Sequence, residues 1–95
     1  MERVSIKDIE CAVDHLNKLA GTPKTPWTRG ADGKHRANIG NYHISQAYGG
    51  VAIHQMQNLG GGIRQLFGYG HMPKRDCLNQ LHAFLLGFEA AKGLR

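Results

Sequence analysis

Acidic side chains are scarce in this chain. Seven Asp and Glu face twelve Lys and Arg, for a net charge of +5. Glu2, Asp8, Glu10 and Asp14 fall within residues 1–20, so between residues 21 and 75 Asp32 stands alone against Lys24, Arg29, Lys34, Arg36, Arg64, Lys74 and Arg75. No pair of carboxylates is spaced for acid–base work, and no enzyme is expected. Cysteine is limited to Cys11 and Cys77, which rules out a disulfide framework; both are read as small buried hydrophobes with reduced thiols. The six histidines match no zinc spacing, even with Cys77 added, so neither a metal site nor a cofactor is expected. No apolar run approaches the ~20 residues of a membrane span, and no signal peptide is recognisable, which points to a soluble cytoplasmic protein.

What remains is ordinary in bulk. A hydrophobic fraction of 41% with 20% charged residues excludes wholesale disorder. Ninety-five residues make a single domain, 1–95, whose core is small enough that self-association would add useful stability. The basic middle of the chain suggests an anionic partner, either nucleic acid or a phosphorylated small molecule.

Glycine is the residue in excess, with thirteen copies. Several fall in "YGGVAIHQMQNLGGG", Tyr48 to Gly62, and more in "GYGHMPKRD". Glycine gives up packing and costs conformational entropy, so such density asks for a local reason.

Around these stretches the periodicities predict an α+β domain with a small antiparallel sheet of three to four strands and a helix at each end, in the order αβββα. Residues 5–20 read as an amphipathic helix with Ser5 as N-cap, Val4 stapled onto Ile9, and Ile6, Ile9, Val13, Leu16 and Ala20 as the buried stripe. Gly21 and Pro23 end it. Residues 21–40 read as a surface loop with one short strand near His35–Asn38 and with Trp27 folded over the core. Tyr42–Tyr48 and Val51–Met56 read as strands joined by a Gly49-Gly50 turn, with Tyr42, Ile44, Tyr48, Val51 and Ile53 on the core face. His43 and His54 then share the opposite face. A third strand, Ile63–Tyr69, leads to a helix from Pro73 to Lys92 with Leu78, Leu81, Leu85 and Phe88 inward, Leu86 off the stripe and Gly93 at its close.

Candidate chemistry gathers where the third strand meets this helix. Gly68-Tyr69-Gly70 permits close backbone approach, and a helix start offers unpaired amide hydrogens. Lys74 and Arg75 disfavour the helix there unless an anion is the neighbour. Tyr48 could stack on a planar base, and Asn58 carries both a donor and an acceptor for a base edge or ribose.

The stretches "AYGGVAIHQMQNLGGG" and "HMPKRDCLNQLHAFLLGFEAA" resemble the first-described family of phage Thoeris anti-defence proteins. The likeness covers roughly residues 42–86, through the aromatic-Gly-Gly turn, the Asn before a glycine run and the Lys-Arg opening the last helix. It implies a sponge that binds cyclic ADP-ribose isomers made by TIR-domain defence proteins without degrading them, in the host bacterial cytoplasm. It also implies homodimers that assemble into hexamers, and cyclic trinucleotides of the CBASS system as possible further ligands. Tyr48 would stack on adenine, Asn58 would hydrogen-bond the ligand and Arg75 would contact phosphate, with Lys74 and Asp76 beside it at the trinucleotide site. No membrane and no nucleic-acid polymer is expected as partner. The alternative is a double-stranded-RNA-binding domain, which shares the αβββα order and places lysines at the start of its last helix.

Overall fold

Ser5 starts the first helix, α1 (Ile6–Ala20), through a reciprocal pair of bonds. Its Oγ accepts from the Asp8 amide at 3.3 Å, and Asp8 Oδ2 accepts from the Ser5 amide at 2.8 Å. Those bonds satisfy donors that a helix end otherwise leaves exposed. At the other end Gly21 adopts φ 72°, and its amide reaches the carbonyls of Asn17 and Lys18. Ile9, Val13 and Leu16 form the buried stripe between these caps. Cys11 does not join them: it is exposed, and only Cys77 is buried. A step of about 100° per residue turns position 11 away from the face that holds 9, 13 and 16.

The structure is a computed structural model that describes residues 3–68 and 70–93. After α1 come β1 (Trp27–Arg29), β2 (His35–Ala37), β3 (Tyr42–Ala47), β4 (Gly50–Met56), β5 (Ile63–Gln65) and α2 (Lys74–Ala91). β3, β4 and β5 form an antiparallel meander, and β1 pairs with β2 as a separate ribbon. Both helices lie on one face of the meander, α1 against β3 and α2 against β4. Between the layers Ile9, Leu16, Ile53, Val51, Cys77 and Leu81 are almost wholly enclosed. Each large aliphatic among them contributes about 1.5–3 kcal/mol by leaving water. The α+β arrangement with a helix at each end follows.

Two buried asparagines tie the meander to its surroundings. Asn17 Nδ2 donates to the Tyr42 carbonyl and Asn17 Oδ1 accepts from the Tyr42 amide, both at 2.8 Å. The side chain thus pairs with the outer edge of β3 as one residue of a neighbouring strand would. Thr22 Oγ1 donates to the same Oδ1 at 2.8 Å. Asn41, fully enclosed, donates from Nδ2 to the Pro23 carbonyl at 2.8 Å and fixes the incoming loop.

Several elements depart from the sequence reading. The loop of residues 21–40 contains a ribbon of two strands rather than one, closed by Gly30-Ala31-Asp32-Gly33: the Gly33 amide donates to the Gly30 carbonyl and the Lys34 amide to Asp32 Oδ1. Trp27 is 43% exposed and leans on Gly61 instead of covering the core. β5 ends at Gln65, short of the expected strand to Tyr69, because Met72 returns to bridge Val51 and the intervening chain must loop out. Tyr69 itself lies outside the described residues. Pro73 is the N-cap of α2 rather than its first helical residue.

The β3–β4 register also differs. Ala47 pairs with Gly50 and Ile44 with Ile53, so the two turn residues are Tyr48 and Gly49. Gly50 cannot serve in the turn because it is a strand residue pressed against the Met72 backbone, where an added Cβ would lie 2.8 Å from the carbonyl oxygen. The slip is an even number of residues, so Tyr42, Ile44, Val51 and Ile53 keep the core face. Tyr48 leaves it. Among the described residues no helix is long and apolar enough to cross a membrane.

Candidate functional site

Tyr48 is the one non-glycine residue with positive φ among the described residues, at 55°, followed by Gly49 at 73°. Two successive left-handed residues define the type I′ turn that suits a right-twisted hairpin, and such positions favour Asn, Asp and Gly. A tyrosine there costs on the order of 1–2 kcal/mol of backbone energy. The ring gains no burial in return, being 97% exposed.

Among the described residues one ring neighbours it. His71 lies 5.8 Å away, centroid to centroid, with the planes 73° apart. His71 Nε2 and Ser45 Oγ are 3.0 Å apart, a hydrogen bond that either partner can donate. Behind His71 stands His54 at 6.1 Å, and behind that His43 at 5.8 Å, both edge to face. The shared ribbon face expected for His43 and His54 is therefore occupied by a row of three imidazoles, with His71 contributed by the loop before α2. Asn41 donates from its amide nitrogen to Pro23, which turns its Oδ1 toward His43 Nδ1 at 3.1 Å. Oδ1 can only accept, so Nδ1 of His43 carries the hydrogen.

Burial lowers the pKa of His43, helped by the charge of His54, while a hydrogen bond with the Asn41 backbone opposes the shift. His54 is lowered by burial and by His71, and its Nε2 is enclosed with no hydrogen-bond partner among the described residues. Both rings are thus neutral at pH 7. The described residues contain no group of three His, Cys, Asp or Glu side chains placed to hold a metal ion.

The start of α2 lies close to this row. Met72 bridges Val51, and its backbone abuts Gly50, so Pro73 and Lys74 begin beside the Tyr48-Gly49 turn. No side chain caps the helix start. Lys74, Arg75 and Asp76 fan around the first turn and do not converge. Arg75 borders a hollow of about 400 Å³ toward α1, with Arg3, Asp8, Cys11 and His82. Asp76 borders a different one of about 490 Å³, with Met72, Asn79 and Gln80.

Asn58 is elsewhere. Its Oδ1 accepts from the amides of Gly60 and Gly62 at 3.0 and 2.9 Å, closing the β4–β5 turn. The glycine run has structural reasons of its own. Gly61, at φ 95°, leaves room for the Trp27 ring, from which an added Cβ would stand 2.6 Å away, and Gly62 lies under the Asn58 amide. Tyr48 precedes β4 and Asn58 follows it, so the seven residues of that strand separate them, about 23 Å of extended chain.

Within one chain, then, the structure groups Tyr48 with the start of α2, sends Arg75 and Asp76 to different sides of that helix, and puts Asn58 at the far end of β4. His71 was missed by sequence reasoning. Its signal was the Met72–Val51 bridge, a pairing between distant residues that no local pattern announces. Comparison with known protein families, with curated proteins and with solved structures finds no match.

Proposed function

We propose that this chain binds and sequesters cyclic nucleotide immune signals, cyclic ADP-ribose isomers first among them, and releases them unchanged. In that reading it is a phage anti-defence sponge acting in the host bacterial cytoplasm. The observation that carries the reading is Tyr48: an aromatic ring in full solvent, at a turn position its own backbone disfavours. Strain of that kind, uncompensated by packing, is kept where a ring must be presented to something. Flat bases stack on such rings, and the exposed Lys74 at the adjoining helix start supplies positive charge for phosphate.

The separation of Tyr48 from Asn58 shapes the proposal. A single small ligand does not span about 23 Å of strand, so a pocket using both takes Tyr48 from one copy and Asn58 from another. A two-fold dimer builds two such pockets at once, because an isologous contact presents the same residues in both directions. Arg75 would close on phosphate within that assembly. Asp76, on a different side of α2 from Arg75, would border the further site for cyclic trinucleotides between dimers of a hexamer, with Lys74 at the helix start near both.

Native mass spectrometry of the protein mixed with cyclic ADP-ribose isomers, followed by heat release and chromatography, tests the reading. Ligand retained by an oligomer and recovered intact supports a sponge. Recovery of a cleaved product would make the protein an enzyme. Absence of binding, together with tight and steeply salt-dependent binding of duplex RNA, would favour the double-stranded-RNA domain instead.

A further inference from the structure

We infer that His71 forms a second wall of the Tyr48 site and gives it a pH-dependent grip on anionic ligands. The inference rests on the proposed function and names a contact that the sequence did not suggest. His71 edges onto the Tyr48 ring at 5.8 Å, so a base stacked on Tyr48 at the hairpin tip meets the imidazole beside it. Ser45 Oγ, 3.0 Å from Nε2, holds the ring in place. Protonation adds a hydrogen to the ring, so that both of its nitrogens donate.

The surroundings decide which ring of the row takes the proton. His71 faces Tyr48 on the β3–β4 turn, Ser45 on β3 and His54 on β4. On the β5 side, Gln65 Oε1 accepts from the Gly70 amide at 2.9 Å. Lys74, Arg75 and Asp76 follow in the first turn of α2. His54 is enclosed at Nε2, and His43 is disfavoured as a cation by its burial and by His54 beside it, so both are poor hosts for charge near neutrality. His71 terminates the row at the ligand side, where a diphosphate would offset the positive charge that His54 and the basic helix start oppose. Ligand binding and proton uptake at His71 then favour each other, as linkage requires.

The experiment is isothermal titration of wild type, His71→Gln and His71→Phe with cyclic ADP-ribose at pH 8 and pH 6, with melting temperatures recorded for each. The ligand is an isomer cyclised through a ribose hydroxyl, whose diphosphate and adenine do not titrate in that range, so any pH dependence belongs to the protein. Wild type should bind more tightly at pH 6 by about tenfold, the scale of one charge-assisted hydrogen bond. Both variants should lose that dependence, with His71→Phe retaining more affinity at pH 8 because it keeps a ring. Binding of equal strength at both pH values, or a pH dependence unchanged in both variants, overturns the role of His71 and leaves the sponge reading standing. No binding by well-folded wild type at either pH overturns the sponge reading and this inference with it.

Discussion

Gly50 lies so close to Met72 that a Cβ on the glycine would meet the Met72 carbonyl oxygen at 2.8 Å and its amide nitrogen at 3.0 Å. The same contact carries the Val51–Met72 bridge, whose two backbone bonds are each 2.8 Å. It holds the start of α2 to the hairpin, and it reserves the second glycine of the Gly-Gly pair for the strand. Gly50→Ala is expected to destabilise the fold by about 1–3 kcal/mol, the scale of overpacking, and to loosen the α2 start. Urea denaturation measures the first effect. Faster hydrogen exchange at the amides of Val51 and Met72 would report the second, and unchanged exchange there would remove the bridge from the account.

Tyr48 should separate stability from binding. Tyr48→Gly relieves left-handed strain, so the fold should gain up to about 1 kcal/mol. The same variant loses the stacking surface, worth roughly 1–3 kcal/mol of ligand affinity. Thermal melts and ligand titration on one preparation check both. A variant that melts lower and binds as before would make Tyr48 a structural residue.

Asn58 needs a subtler substitution than alanine, since its Oδ1 holds the Gly60 and Gly62 amides. Asn58→Asp keeps an acceptor for the turn and removes the amide donor, so it should fold normally and bind cyclic ADP-ribose weakly. Mixing it with Tyr48→Ala is informative. If each pocket draws Tyr48 and Asn58 from different copies, exchanged heterodimers regain about a quarter of the sites. Absence of recovery after subunit exchange would argue against the shared pocket.

Asn17 should be costly to replace. Asn17→Ala leaves the outer edge of Tyr42 without the paired bonds of the side chain and leaves the Thr22 hydroxyl only its longer bond to the residue 17 carbonyl, 3.4 Å, with an expected loss of about 1–3 kcal/mol per buried group left unsatisfied. Chemical denaturation against wild type provides the value. A loss within experimental error would mean that water takes over these bonds.

The imidazole row sets the acid limb of stability. His43 and His54 have folded pKa values below the ordinary 6.5, so below that value the unfolded chain binds more protons than the folded one. Stability is therefore full above about pH 6.5 and falls as pH drops toward their folded values. The melting temperature should decline between pH 7 and pH 5. His54→Gln should shallow the decline, and an unaltered slope in that variant would assign it to other groups.

Local chemistry made much of this fold legible. Ser5, Gly21 and the aliphatic stripe marked α1, because capping and periodicity are properties of near neighbours. The core-facing residues of β3 and β4 were readable because alternation survives an even slip of register. Tyr48 was misplaced because Gly49-Gly50 is the stronger turn signal in isolation, and only the return of Met72 disqualifies Gly50. Trp27 and the β1 strand went unread for a similar reason: the ring's support is Gly61, in a turn more than thirty residues further along. His71, like these, is positioned by the Val51–Met72 pairing. The site's residue types were visible in the sequence, whereas their grouping depended on contacts between distant segments.

The exposure of Tyr48 has a kinetic side. A ring that already stands in solvent at the tip of a hairpin waits for no lid and displaces no packed side chain. Capture of a stacking ligand then begins at first encounter, and affinity is set mainly by how slowly the ligand leaves. In the proposed role, where the ligand is a diffusing signal that an effector also seeks, arriving early would matter as much as holding on.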